Sequence, residues 1–343
     1  MSSKLNYLYF FLFYSVFFSC NNSEEVTVIG LWGEAQGTTY AIKYHGIDVV
    51  NYQHEIDSIL REIDQSMSTY VDSSTISRIN NGAGNVIVDH FFVAVFSRSQ
   101  EISEITQGAF DPTVKPLVDA WGFGTARRDS LTQVPVDSLL KFVGMDKFQL
   151  SENDDTSSIS KLISMAQLDF NGIAQGYSVD VVSNFLLSKK ISGHLVEIGG
   201  EVITKGRNSE GEKWKVGVDR PVAHRDKDKL QAIVKLENKA LATSGSYRKF
   251  YMKNGKKFSH TIDPTTGYTV DHNLLSATVV TDDCMSADAF ATAFMVFGVD
   301  KTIAFLKAHQ QLGIEVYLIY EDEAAGLKTY ISAGLKEELE EQN

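Results

Sequence analysis

Cysteine is nearly missing from this chain, with two in 343 residues. Neither belongs to a CxxC pair and no His/Cys cluster surrounds them, so zinc and iron–sulfur centres are not indicated. No GxGxxG turn follows the first strand-like segment and no GxxxxGKS/T loop occurs, which removes the Rossmann and P-loop readings. A GxSxG elbow is absent too, and with it the simplest serine-hydrolase reading. The 32 Lys and Arg residues are outnumbered by 44 Asp and Glu, giving a net charge of −12, and nowhere do the basic residues cluster as they do where proteins track phosphates. General affinity for nucleic acid is thereby excluded, and an anionic ligand would need a metal or local donors. What is present, 43% hydrophobic and 22% charged residues, suits one large globular domain or two fused ones.

Long apolar runs are also scarce, the clearest being at the start. MSSKLNYLYFFLFYSVFFSC carries one early lysine, then an apolar run of about a dozen residues, the size of a signal-peptide core and too short to span a bilayer comfortably. Its Phe-Phe-Ser-Cys ending resembles a bacterial lipobox, in which the cysteine becomes the lipidated first residue. Residues 1–19 are therefore expected to be a signal peptide, Cys20 a lipidation site, residues 20–25 a polar tether and residues 26–343 the folded part, as one domain or two interleaved lobes. Phe17 stands where leucine is commonest in that motif, so ordinary cleavage and an uncleaved anchor stay open. With Cys20 acylated, Cys284 has no intramolecular partner and reads as a small buried hydrophobe.

Along the folded part, Val26 to Tyr44 alternates like strands around a turn at Gly37. Asn51 to Met67 carries Ile56, Ile59, Leu60, Ile63 and Met67 at helical spacing, and a second helix is expected from Phe91 to Thr106, ending at Gly108. SENDDTSSIS (151–160) reads as a linker or hairpin tip. LDFNGIAQGYSVDVVSNFLLSKK reads as a strand end, a glycine turn and a long helix; HLVEIGGEV, KWKVGVDRP, LQAIVKLE, ALATSG and YRKFYMKNGKKFSHTID follow as strands, with Asn254-Gly255 as a hairpin turn. Helices at Ser286 and at Lys301–His309, then strands at Ile314–Tyr320 and Lys328–Ser332, close the chain. Strand runs punctuated by helices predict an α+β fold with mixed, mainly antiparallel sheets.

One stretch poses a question of its own. SADAFATAFMVFG (286–298) is apolar almost all the way round, a helix buried on every side, yet it carries Asp288 and Thr292. Four residues apart, they share one face. Ser286 as an N-cap would put Asp288 in the first turn, where the helix dipole favours an anion, and Thr292 could bond back to a carbonyl. The alternative is a hard-cation site.

GAFDPTVKPLVDAWGFG, LDFNGIAQGYSVD, VEIGGEVITKGRN and SHTIDPTTGYTV each read as turn chemistry when taken singly. In this order, with MSTYVDSSTISRIN upstream and SADAFATAF downstream, they resemble the bacterial FAD:protein FMN transferases, the ApbE or flavin transferase family, from about Gln36 to Gly298. The resemblance implies the ApbE-like fold and a Mg²⁺-dependent enzyme that splits FAD, moves FMN to a threonine of an acceptor protein and releases AMP. It implies a metal site of Asp288, Thr292 and the Gly172 carbonyl, with His260 as candidate base for the acceptor hydroxyl, or else as a residue fixing the turn before Asp263. It further implies Tyr70 over the flavin ring, with Ala109, Phe110, Asp111, Asp169 and Ile262 lining the cofactor cavity. Gln36 and Gln175 also fall at cofactor positions but depart from the pattern, since relatives often have methionine at the first and lysine at the second. Glu197, Gly199 and Gly200 are expected at the cavity floor. The partners implied are FAD and an exported acceptor, such as a subunit of a membrane redox complex, reached from an extracytoplasmic, membrane-anchored position. An FAD pyrophosphatase giving FMN and AMP and a non-catalytic flavin-binding lipoprotein remain alternatives. A flavin oxidoreductase is disfavoured, because no second cofactor site is visible.

Overall fold

The computed structural model describes residues 26–82, 84–124, 135–153, 156–221, 230–246, 250–253, 256–322 and 324–342. Cys20 and the expected signal and tether therefore lie outside the described residues, as does the Asn254-Gly255 turn.

In chain order, β1 (Thr27–Ala35) and β2 (Thr38–Gly46) form a hairpin and lead into α1 (Gln53–Met67) and α2 (Thr75–Asn80). After β3 (Val86–Val88) come α3 (His90–Ile105), α4 (Lys115–Ala120) and α5 (Val136–Leu139), then the hairpin of β4 (Phe148–Glu152) and β5 (Ser157–Lys161). Helix α6 (Ala174–Ser188) precedes the run β6 (Gly193–Ile198), β7 (Glu201–Lys205), β8 (Trp214–Asp219), β9 (Leu230–Leu236) and β10 (Ala240–Gly245). The paired strands β11 (Phe250–Lys253) and β12 (Lys256–Ser259), β13 (Leu274–Thr281), α7 (Cys284–Ala308), β14 (Glu315–Asp322), β15 (Gly326–Ile331) and β16 (Leu339–Glu341) complete it.

One eight-stranded antiparallel sheet, ordered β1-β2-β6-β7-β10-β13-β14-β15, organises the molecule. Its central strands are apolar on both faces because each face has its own cover. Ile203, Ala240, Ala242, Val279, Val316 and Leu318 face cores built with α1, α3, α6 and α7. Their neighbours Val202, Leu241, Val280, Tyr317 and Ile319 face the three-stranded sheet β16-β9-β8 on the other side. Helix α7 packs between the large sheet and α6 and α3, so it is apolar all round because it is enclosed.

The structure corrects the start of α7. Asp283, not Ser286, is the N-cap, its carboxylate accepting the Ser286 N–H at 2.7 Å, while the Ser286 hydroxyl accepts from Arg98. Asp288 is thereby one turn deeper than expected. The two helices expected at Ser286 and Lys301 join across a kink at Gly298, whose φ of 74° only glycine adopts easily and against which the His272 ring packs. No strand forms at Leu168-Asp169: the Asn80 side-chain amide brackets Leu168, donating to its carbonyl at 2.8 Å and accepting its N–H at 2.7 Å, in place of a strand partner.

Candidate active site

Helices α6 and α7 cap each other. The first N–H groups of an α-helix have no partner inside it, and their end carries partial positive charge. Asp180 of α6 accepts the Cys284 and Met285 N–H groups at the start of α7, each at 2.8 Å. In return, Asp288 of α7 accepts the Gly176 N–H in the first turn of α6 at 3.2 Å, where no side chain of the N-cap residue does so. The helices cross closely at Gly176, where a Cβ would strike the Cys284 carbonyl and come within 2.9 Å of the Asp288 Cβ. A buried acid thus stands on an apolar helix at the point where the FNGIAQG turn enters α6.

Above this crossing opens a cavity of about 410 Å³, within the usual range for small-molecule sites. Tyr70, Ala109, Phe110, Asp111, Asp169, Gly172, Gln175, His260, Ile262, Asp288 and Thr292 all line it. Gln36 does not: at the tip of the β1–β2 hairpin it donates to the Ser178 hydroxyl at 2.5 Å, three residues beyond Gln175 on α6. Tyr70 is 73% exposed, an aromatic face left open to solvent at the cavity's edge. The Gln175 amide donates to the Ile198 carbonyl at 3.2 Å and rests against Gly199. Glu197 accepts the Gly200 N–H at 2.7 Å and so braces the turn between β6 and β7. His260 follows β12, with the Phe123 ring edge-on to it at 6.3 Å.

The walls are acidic. Burial raises the carboxyls of Asp111, to about 6, and of Asp169, Glu201 and Asp288 above their ordinary range. Asp111 is held by Thr113, whose N–H and hydroxyl donate at 2.8 and 2.6 Å, and Asp169 accepts the Asn171 N–H at 2.9 Å. Lys115 lines the same cavity, buried and paired with Asp119 at 3.1 Å.

Asp288, Gly172, Thr292 and Ser244 bring oxygen donors to the cavity lining. Thr292 lies a turn beyond Asp288, its hydroxyl 3.5 Å from that of Ser244 on β10. Gly172 presses its backbone against it, since a Cβ there would approach Thr292 Oγ1 to 3.0 Å and the Phe110 ring to 3.6 Å. Carboxylate, hydroxyl and carbonyl oxygens without nitrogen or sulfur suit a hard divalent ion that completes its shell with water or substrate oxygens. Among the described residues no three His, Cys, Asp or Glu side chains gather as a metal cluster, so an all-protein cage is not what this site offers. The residues present fit Mg²⁺ in this limited sense.

Residues 36–318 match the ApbE family. The chain belongs to that family. The matched span contains every residue lining the cavity. Among curated relatives, an FAD:protein FMN transferase of Vibrio cholerae is 36% identical over 318 residues, covering 90% of this chain and 92% of the relative. Another, of Haemophilus influenzae, is 34% identical over 306 residues, covering 86% and 87%. Among solved structures, the flavin transferase ApbE of Vibrio cholerae superposes with a TM-score of 0.78 at 34% identity, covering 91% of this chain and 99% of that one. The apo flavinyl transferase ApbE of Pseudomonas stutzeri gives 0.79 at 30% identity, covering 91% and 97%. The α+β architecture expected from the sequence is thus an ApbE fold.

Sequence reasoning did not single out Glu201, Lys115, Thr243 or Ser244, although all four line the cavity. Glu201 and Lys115 carried a usable signal, being charged residues inside quoted glycine-rich or acidic motifs. The hydroxyls of ALATSG carried none, because alternation on a strand does not say which end meets a cavity.

Proposed function

We propose that the protein transfers FMN from FAD to a threonine hydroxyl of an acceptor protein, with release of AMP, and that it does so with Mg²⁺. Membership in the ApbE family and relatives named FAD:protein FMN transferases support the reaction. The observation that carries the metal is the pairing of Asp288 and Thr292 with the Gly172 backbone in a cavity whose other acids would repel a diphosphate. Mg²⁺ held there by the Asp288 carboxylate, the Thr292 hydroxyl and the Gly172 carbonyl would neutralise the FAD diphosphate and stabilise the departing AMP.

The chain's own residues supply the rest. Phosphoryl transfer needs positioning and charge neutralisation more than covalent help from the enzyme. Tyr70, Ala109, Phe110 and Ile262 offer apolar and aromatic contact for a flavin ring; Asp111 and Asp169 offer hydrogen-bond acceptors at its polar edge. Gln175 offers an amide on the side of the cavity nearest the α6 N-terminus. The threonine oxygen attacks the FMN phosphorus, the P–O bond to the AMP phosphate breaks, and the His260 imidazole takes the hydroxyl proton.

The same reading extends to the N-terminus: residues 1–19 as a signal peptide and Cys20 as the acylated anchor of an extracytoplasmic enzyme serving exported flavoproteins or subunits of membrane redox complexes. Its support is the short apolar run ending in Phe-Phe-Ser-Cys. Incorporation of labelled fatty acid that disappears in Cys20→Ala checks it.

The reaction is tested by incubating the protein with FAD, Mg²⁺ and a candidate acceptor. The expected product is an acceptor that keeps flavin fluorescence through denaturing electrophoresis. Free FMN and AMP without acceptor labelling would instead identify a pyrophosphatase.

A further inference from the structure

Glu201 has a buried oxygen with nothing to hold it. As the first residue of β7 it follows the Gly199-Gly200 turn, whose positive φ values of 65° and 114° return the chain so that Glu201 pairs with Ile198 and faces the helices. The side chain lines the cavity and is 9% exposed, and its Oε2 makes no hydrogen bond. No hydrogen bond joins it to Asp288 either, whose Oδ2 is engaged by the Gly176 N–H. Burial, and after it the nearby Asp288 carboxyl, makes charging Glu201 costly.

A buried carboxylate oxygen without a partner is costly, so native proteins pair it or coordinate a cation with it. Lys115, the lysine in the cavity wall, is already engaged by Asp119. The remaining partner of the right chemistry is the ion assigned above to Asp288. We propose that Glu201 is a second carboxylate of the cation site, and that its charge lets a divalent ion bind before FAD arrives. This rests on the proposed metal reading and extends it. Asp288 alone offers the ion one negative charge; with Glu201 the two charges of the ion are matched, and affinity in oxygen-ligand sites rises with ligand charge. The loaded site then presents no excess negative charge to the incoming diphosphate.

Mn²⁺ serves as the probe, its binding to the flavin-free full chain followed by loss of the free-ion EPR signal, with melting curves recorded beside it. The wild-type protein is expected to bind Mn²⁺ without FAD, and Glu201→Gln to bind it at least about tenfold more weakly. Metal-free Glu201→Gln should melt at or above the wild-type temperature, because it removes a buried acid whose Oε2 has no hydrogen-bond partner, which separates lost binding from lost folding. Glu201→Asp should recover part of the affinity. Equal Mn²⁺ affinity in wild type and Glu201→Gln would overturn the proposal, as would a wild-type protein that binds Mn²⁺ only when FAD is present. A protein that binds no Mn²⁺ with or without FAD would overturn the metal reading itself.

Discussion

At the scale of single residues, two side chains carry separable parts of the proposed chemistry. His260 lies in the cavity wall beside Phe123 and is not one of the oxygen donors assigned to the ion, so its loss should affect proton removal and leave the diphosphate side alone. His260→Ala is expected to slow acceptor labelling by about 10²–10⁴-fold while FAD affinity, read by fluorescence titration, changes by less than about threefold. A parallel collapse of FAD binding would make His260 a structural residue of its loop. Thr292→Val keeps the volume of the side chain and removes its oxygen; labelling should then require much higher Mg²⁺, and Thr292→Ser should restore the wild-type requirement. Much of this site could be read from the sequence. The Asp288/Thr292 spacing, the GAFDP and HTIDP loops and Tyr70 all come to one cavity. What could not be read is why Asp288 tolerates burial: its partner is a backbone N–H 112 positions away, and no local pattern records that contact.

At the scale of elements, the reciprocal capping of α6 and α7 decides where the site stands. Periodicity was enough to find α1, because it lays one apolar stripe on the core, the glycine turn before α6 announced that helix, and the strand hairpins announced themselves by turn residues. Periodicity fails for α7, whose surround is apolar in every direction, so the start of the helix is fixed by Asp283 and by Asp180 from another helix. Asp180→Ala should therefore destabilise the fold by about 1–2 kcal/mol, the usual cost of a lost cap, seen as a lower urea midpoint with unchanged slope. Gly176→Ala should be worse than an ordinary helical Gly→Ala change, which normally stabilises, because the added methyl meets the Cys284 carbonyl at the crossing. A stabilised Gly176→Ala protein would show that the helices can separate without cost, and that the crossing does not position Asp288.

For the whole molecule, acidity acts twice. A net charge of −12 and a cavity lined by Asp111, Asp169, Glu201 and Asp288 make a poor host for an anionic dinucleotide unless a cation intervenes. Acidity also sets the limit of stability on the low-pH side, through His194. That ring is buried on β6, bonded to Ser183 at 2.8 Å and to the Ile191 carbonyl at 3.1 Å, and burial lowers its pKa from 6.5 to about 4. The unfolded chain binds this proton first, so the stability His194 contributes is complete above pH 6.5 and is lost as pH falls through that value toward 4. Over that interval the wild-type protein should lose about 3 kcal/mol more than His194→Gln, measured by urea unfolding at each pH. The long-range assembly behind both effects was only partly legible. Apolar runs foretold strands buried on both faces, yet the order β1-β2-β6-β7-β10-β13-β14-β15 and the small sheet covering its far side depend on contacts between distant segments.

The central claim is that a divalent ion on Asp288 and Thr292 enables cleavage of the FAD diphosphate. The most direct measurement is the rate of AMP release from FAD in the presence of an acceptor, for wild type and Asp288→Asn, with Mg²⁺ and after chelation. The account predicts release only from the wild-type protein with Mg²⁺ present, and a loss of at least about 10²-fold in the other three conditions. Release that continues at the wild-type rate after chelation, or in Asp288→Asn, would contradict it.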